Sequence, residues 1–269
     1  MPEGHTLHRL ARQQTALFAG RSVRVSSPQG RFAAGAALLD GRVLDRSTAH
    51  GKHLFGAFGA DVVHVHLGLY GTFTTGTGVP PPPKGALRMR WEGAGPDGQG
   101  VWTDLRGATA CEVLTRPEVR WILDRLGPDP LRRGADGGHA YRRIARSRTA
   151  VGALLMDQSV LAGVGNVYRA ELLFRHRVSP FRPGSGLAEE EWARMWADLV
   201  VLMRAGVKLG RIVTTLPADR ARRRGPVDLA DAHYVYRRTG LPCRVCGTEV
   251  RTEEMVGRNL YWCPTCQAV

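Results

Sequence analysis

Four cysteines near the C-terminus carry the strongest chemical signal. Cys243-Arg-Val-Cys246 is followed by sixteen residues and then Cys263-Pro-Thr-Cys266. Each C-x-x-C pair offers two sulfurs about one turn apart. Two such pairs at this separation suit one tetrahedral ion, zinc by default for four thiolates. Two surface disulfides or four buried thiols are the alternatives, and the doubled knuckle favours zinc over both. Four thiolates leave no open coordination position, so this metal is structural and any reaction must lie elsewhere. Residues 249–251 read as an outgoing strand and 259–262 as a returning one, so a hairpin brings the knuckles together. Arg244, Arg251 and Arg258 belong to the same finger, which suits it to an anionic partner.

Chemistry of a different kind is available at the opposite end. The chain opens Met1-Pro2-Glu3-Gly4. A proline in second place permits removal of Met1, which leaves a free secondary amine beside a carboxylate at a helix start. Pro is also an ordinary first-turn residue, and on these residues alone that reading is the favoured one. Gly51-Lys52-His53 sets a lysine at the mouth of a strand, and 66–71 sets Leu69 and Tyr70 in a glycine-bounded turn. Taken singly, a solvated charge and ordinary core packing explain them. Gly163-Val-Gly165-Asn166 opens a helix, where backbone N–H groups at the positive end can hold a phosphate and Asn166 can add a side-chain donor. Glycines before helices are common, so this turn by itself decides little.

The composition narrows the partner. The 269 residues carry 38 Lys and Arg against 24 Asp and Glu, a net charge of +14, with 43% hydrophobic residues, enough for a real core. A surplus of arginine points to nucleic acid or another anionic surface. No apolar run approaches a membrane span, and the N-terminus lacks the apolar core of a signal peptide. With four of five cysteines assigned to zinc, Cys111 is left as a buried thiol, which fits a reducing cytosol.

The elements that must position these groups follow in order. Residues 7–18 have helical periodicity and Gly20 ends them. Between 21 and 114 the pattern is of short strands at 21–25, 41–44, 53–55, 62–67, 87–91 and 101–103, punctuated by Gly and Pro, as in a β-sandwich or barrel. The proline run at 80–83 is an exposed connector. At Gly127-Pro-Asp-Pro130 strand signals stop and helical ones begin, so a boundary falls there. Helices are expected at 136–146, 149–156, 169–174 and 187–204. Residues 216–227, with Arg220, Arg222, Arg223 and Arg224, read as a mobile basic loop.

Together these pieces resemble one family, the formamidopyrimidine-DNA glycosylases and endonuclease VIII enzymes of base-excision repair. The resemblance spans essentially the whole chain. It rests on Pro2-Glu3-Gly4, Gly51-Lys52, Gly163-Val-Gly165-Asn166-Val-Tyr168, and Gly257-Arg258 through Cys263-Pro-Thr-Cys266-Gln267, in the family's order and spacing. It implies an α+β multidomain protein with DNA in the cleft: an N-terminal helix plus β-sandwich at 1–126, a helix–two-turn–helix domain at 127–232, and a four-Cys zinc finger at 233–269. It implies Pro2 as nucleophile and Glu3 as proton shuttle, with Lys52 beside them. Lys52, Gly165, Asn166 and Arg258 would hold phosphates around the extruded nucleotide, and Leu69 and Tyr70 would fill the gap it leaves. Pro2-Glu3-Gly4 and Leu69-Tyr70-Gly71 look like the endonuclease VIII branch, which implies oxidised pyrimidines as substrates.

His5 and Thr6 stand where the family usually has a second Pro and a second acid, and Gly68 stands where that branch has Gln. The expected protein is a monomeric cytoplasmic glycosylase and AP lyase with one structural zinc. Its partner would be duplex DNA bearing damaged bases or abasic sites. The competing readings are an oxidised-purine glycosylase, a catalytically silent DNA-binding protein on the same scaffold, and a zinc-ribbon RNA-binding protein.

Overall fold

The computed structural model describes residues 2–268, which fall into two compact units, Met1–Arg125 and Leu126–Val269. The first begins with α1 (Gly4–Phe18), whose buried residues Leu7, Ala11 and Phe18 recur at helical spacing. Then come β1 (Ser22–Ser26), α2 (Ala33–Leu39), β2 (Arg42–Val43), β3 (Arg46–His50), β4 (His53–Phe58), β5 (Asp61–His66), β6 (Thr72–Thr77), β7 (Leu87–Ala94), β8 (Gly100–Arg106), β9 (Ala110–Thr115) and α3 (Arg116–Asp124).

The strands form two sheets, ordered β2-β1-β7-β8-β6 and β3-β4-β5-β9. Every pairing in them is antiparallel. Val23, Val25, Met89, Trp91 and Leu105 of the first pack against Leu54, Phe58, Val63 and Val65 of the second. Trp91 fixes the spacing: Phe18 and Phe58 meet it edge-on at 5.9 and 5.6 Å, and a Cβ on Gly56 would lie 2.9 Å from its ring. This is the expected sandwich with its N-terminal helix. Three strands (β3, β6 and β9) and two helices (α2 and α3) lie outside the strands expected from pattern. The sequence Arg-Ser-Thr-Ala-His of β3 lacks apolar alternation, and α2 is alanine-rich within an otherwise strand-like stretch.

The second unit contains α4 (Gly137–Ile144), α5 (Val151–Leu154), α6 (Asn166–Arg175), α7 (Glu189–Leu209) and the hairpin β10 (Arg251–Met255) with β11 (Arg258–Trp262). Three glutamates occupy the first turn of α7, and Gly210 caps its end at φ 74°. Acid at the positive end and a left-handed glycine at the other are favourable termini. The helix therefore runs past the expected end at residue 204: Gly206 is buried within it and does not stop it. The core joins α4–α7 to the finger, since Leu172, Leu199, Tyr234, Val250, Tyr261 and Cys263 belong to one buried cluster. Among the described residues no helix is long and apolar enough to cross a membrane.

Candidate active site

The C-terminal end of α1 is tied to the residues that lead into β3. Gly20 N–H donates to Leu44 O at 2.8 Å. One turn back along the helix and three residues on along the chain, Thr15 and Ser47 exchange two hydrogen bonds of 2.9 and 3.0 Å. The helix therefore runs antiparallel to β3. From the Thr15–Ser47 anchor, twelve helical residues at about 1.5 Å each lead to Glu3, about 18 Å away. Five extended residues at about 3.3 Å each lead to Lys52, about 17 Å away in the same direction. The head of α1 and the β3–β4 turn thus share one end of the unit. Glu3 is the N-cap of α1 and is fully buried, whereas Pro2 before it is only half-buried. Met1 lies outside the described residues. Lys52 follows Gly51, whose φ of 56° makes the turn a glycine position.

The opposite strand of the hairpin brings the apolar turn to the same end. His53 pairs with His66 in register, so Lys52 and Leu67 lie just beyond matched positions. Gly71 N–H closes the 67–71 turn on Leu67 O at 2.9 Å. Within it Leu69 is 40% and Tyr70 84% exposed. The core-packing reading is therefore wrong for both. Two adjacent apolar side chains held outward by a closed turn have the form of a wedge.

A histidine ladder lies behind Lys52. The Val-His-Val-His alternation of β5 puts His64 and His66 on one face, where they meet His53 of β4. His64 Nδ1 lies 2.9 Å from Glu112 Oε1, and His64 Nε2 lies 2.9 Å from His53 Nδ1. A carboxylate oxygen accepts, so His64 Nδ1 donates to Glu112. Burial, and then the neighbouring His64, His66, His50 and Lys52, hold His53 down to about 3. Burial likewise lowers His66 and takes His5, in the first turn of α1, to about 4. Neutral imidazoles therefore line this end at neutral pH. The alternation was visible in the sequence, but its partner Glu112 comes from a strand that the pattern did not mark.

In the second unit Gly165 is the N-cap of α6, and Asn166 opens the helix. Asn166 is 5% exposed, and its Nδ2 donates to Asn259 O at 2.9 Å. That contact ties the helix N-terminus to the hairpin carrying Arg258, which pairs with Met255 across a two-residue turn. Val256 and Gly257 both have positive φ, 55° and 63°, the conformation that joins two strands most tightly. Two of the finger's arginines have different surroundings from Arg258. Arg244 pairs with Asp231 at 3.0 Å and donates to Ala230 O and His233 O, so it secures the preceding loop. Arg251 is exposed on β10. The loop at 216–227 is itself tied down, since Asp231 accepts from Ala221 N and Arg222 N. Cys111 is half-buried, and burial raises its thiol to about 12, which makes it inert.

The cysteines meet as the spacing requires. The Sγ atoms of Cys243, Cys246, Cys263 and Cys266 all lie within 4.8 Å of one another. Cys243 and Cys266 are 3.9 Å apart, and Cys246 and Cys263 are 3.4 Å apart. These separations are far from a disulfide bond and close to the about 3.8 Å edge of a tetrahedron with zinc–sulfur bonds near 2.3 Å. The donor set fits one structural zinc held by these four thiolates.

Comparison with known proteins agrees with this geometry. Residues 1–111 match the formamidopyrimidine-DNA glycosylase N-terminal domain, 126–217 its H2TH domain, and 240–269 the zinc finger found in FPG and IleRS. Endonuclease 8 1 of Mycobacterium tuberculosis is 54% identical over 99% of this chain and 100% of its own length. Formamidopyrimidine-DNA glycosylase of Thermus thermophilus is 34% identical over 99% of this chain and 98% of its own. Among solved structures, Lactococcus lactis formamidopyrimidine-DNA glycosylase bound to DNA containing an AP site superposes with a TM-score of 0.79 at 19% identity, covering 99% of this chain and 100% of that one. The crystal structure of a Thermus thermophilus formamidopyrimidine-DNA glycosylase superposes at 0.69 with 31% identity, over 99% and 98% of the two chains. The chain belongs to the formamidopyrimidine-DNA glycosylase and endonuclease 8 family, DNA glycosylases with AP lyase activity that act in base-excision repair.

Proposed function

We propose that mature Pro2 is the nucleophile and that oxidised pyrimidines in duplex DNA are the preferred substrates. The reading is carried by a fully buried Glu3 next to a half-buried Pro2, at the end of the unit that also presents Lys52, Leu69 and Tyr70. An N-terminal amine has an ordinary pKa of about 7.7–8.0, so a useful fraction is neutral near pH 7. Its lone pair attacks C1′ of the damaged nucleotide. The base departs with the glycosidic electron pair and a proton, and the sugar ring opens as its oxygen takes a proton from Glu3. A secondary amine yields an iminium, positively charged without any proton. That cation accepts the electrons released when the C2′ proton leaves, and the 3′ phosphate is eliminated. Water then releases the enzyme.

Extruding the nucleotide costs a few kcal/mol of lost stacking, which Leu69 and Tyr70 offset by filling the gap. Lys52, Gly165, Asn166 and Arg258 hold the flanking phosphates: Lys52 and Arg258 by charge, Gly165 and Asn166 through the N-terminal N–H groups of α6. The second hydrogen of Asn166 Nδ2 adds to that edge. In this reading the chain works in three parts, 1–126 for chemistry, 127–232 for backbone grip and 233–269 as the finger. The surplus of positive charge suits a cytoplasmic protein held on the bacterial nucleoid. The pyrimidine preference rests on Pro2-Glu3-Gly4, on Leu69-Tyr70-Gly71 and on the 54% identity to an endonuclease 8.

Borohydride reduction during reaction with an abasic duplex tests the nucleophile. A covalent protein–DNA complex is expected with processed protein and should vanish when the N-terminal amine is acetylated or Met1 is retained. Trapping at the normal rate with Met1 fully retained would remove Pro2 from the mechanism. Duplexes with one defined lesion each test the preference, and much faster excision of an oxidised guanine opposite cytosine would reverse it.

A further inference from the structure

The sequence offers no role for Arg169, one of the largest fully buried side chains in the protein, at 0% exposure. A guanidinium is expensive to bury, so it must be bound by acceptors placed for it. Three of these acceptors surround the proposed phosphate-binding edge. Arg169 Nη2 donates to Asn166 Oδ1 three residues back on the same helix, and it reaches Asn259 O at 3.4 Å. Nη1 reaches Met255 O at 3.3 Å. Met255 and Asn259 lie on the two legs of the finger hairpin, on either side of the Val256–Gly257 turn and of Arg258. One planar fork therefore spans both legs of the turn and also fixes the amide of Asn166. Asn166 in turn donates from Nδ2 to the same Asn259 O. The fork makes the amide orientation unambiguous, because only Oδ1 can accept from a guanidinium.

We infer that Arg169 is a positioning residue that sets the finger turn in register with the N-terminus of α6, so that Arg258 and the Gly165–Asn166 edge meet DNA as one clamp. Arg169 is buried in the protein and touches no phosphate itself. Among the described residues the Arg258 guanidinium returns to Gly257 O at 2.8 Å and is otherwise directed by where the turn sits. Replacing the fork by an apolar chain leaves Asn166 Oδ1 and the two carbonyls without their shared donor. The turn is then tied to the helix more loosely, through the Asn166 Nδ2–Asn259 O bond, and the phosphate contacts of Arg258 weaken although Arg258 is still present.

The inference rests on the proposal that Arg258 binds phosphate, and one set of variants separates the two. Affinity for a duplex with a tetrahydrofuran abasic analogue is measured across a salt series for wild type, Arg169→Met, Arg169→Lys, Arg258→Ala and the Arg169→Met/Arg258→Ala pair. Arg258→Ala should lower the slope of log K against log salt by about one. Arg169→Met should lower it by a comparable amount, and the double variant should match Arg258→Ala and not fall further. Arg169→Lys, whose ammonium can satisfy Asn166 but cannot span both legs, should lie between. It also carries the test if the Met variant fails to fold. Zinc content and the unfolding midpoint are followed in parallel, because simple destabilisation shifts the midpoint and leaves the slope alone. An Arg258→Ala loss with a wild-type slope in both Arg169 variants, or losses that add in the double variant, overturns the positioning role. An unchanged slope in Arg258→Ala overturns the phosphate assignment and this inference with it.

Discussion

The hydroxyl of Thr109 occupies the space that a side chain on Gly68 would need. A Cβ at residue 68 would collide with Thr109 Oγ1 and lie 3.2 Å from its Cβ, and Gly68 has φ 65°. Thr109 N–H is bonded to His66 O at 2.9 Å, so the two turns are held together by backbone as well. The glycine that stands in place of the branch's usual glutamine is therefore required locally, and the exposed apolar side chains of the turn are Leu69 and Tyr70.

Restoring the glutamine should fail for this reason. Gly68→Gln is expected to lower stability by about 1–2 kcal/mol from the left-handed backbone alone, with more from the clash. Adding Thr109→Ala should relieve the clash and leave the backbone cost. Urea unfolding of the three variants checks this. A Gly68→Gln protein as stable as wild type would show that the turn can relax.

How much of this was legible in advance depended on whether a residue's role was local. The doubled zinc knuckle is a short motif whose meaning lies in its own residues, whereas the Gly-x-Gly-Asn turn by itself decides little. Lys52 and Pro2 gained significance only from their combination with the other motifs, since each alone has an ordinary explanation. Glu112, Arg169 and Thr109 act across 48, 90 and 43 residues of sequence respectively, on His64, Asn259 and His66. Nothing within a window around them marks that. Arg244 misled for the converse reason, because its position on the finger suggested an anion and its real partner is Asp231.

The zinc makes a separate prediction. Cys243, Cys263 and Cys266 belong to the same buried cluster as α6 and α7, and Gln267 Nε2 donates to Val178 O at 3.0 Å. Chelation or Cys263→Ala should therefore unfold the finger, loosen the core around Tyr236 and Tyr261, and abolish DNA binding. Most helical signal should remain, with the Met1–Arg125 sandwich intact. Structural zinc contributes about 10–16 kcal/mol in isolated fingers, so the effect should be large. Metal analysis should give one zinc per active chain, and a substantially lower ratio in fully active protein would refute the assignment.

Acid should destabilise the first unit. His53 and His5 ionise at about 3 and about 4 in the folded chain, below the ordinary 6.5, chiefly because they are buried. Below pH 6.5 the unfolded chain takes up protons that the folded chain refuses. Stability is therefore full above about pH 6.5 and falls as pH drops toward 4, by up to about 1.4 kcal/mol per pH unit for each such histidine. The groups facing His53 are His64 and His66 of β5, His50 of β3 and Lys52 of the turn, with Glu112 of β9 behind His64. His53→Gln should flatten the profile between pH 6.5 and 4. Denaturant midpoints at pH 7.5, 6 and 5 measure it, and parallel profiles for the two proteins would rule the histidine out as the source.

A severe loss away from both the active site and the zinc should come from Glu171. Its carboxylate is fully buried in α6 and accepts N–H bonds from Tyr234 at 2.7 Å and from Val235 and Tyr236 at 2.8 Å each, along with the Thr214 hydroxyl. Three successive backbone donors on one carboxylate fix the segment that leads from α7 into the finger. That segment also holds the arginine loop: Tyr234 OH donates to Asp219 at 2.6 Å and accepts from Leu216 N at 2.9 Å. Glu171→Ala leaves three buried backbone donors without this acceptor, at about 1–3 kcal/mol each, so a loss of several kcal/mol is expected. Glu171→Gln keeps the shape but turns an amide group toward N–H donors, and should fall between. Amide hydrogen exchange followed over residues 126–268 during unfolding reports on this unit alone. A Glu171→Ala protein within about 0.5 kcal/mol of wild type, the ordinary range for a surface change, would mean that the carboxylate is dispensable and that the 234–236 turn is held by packing.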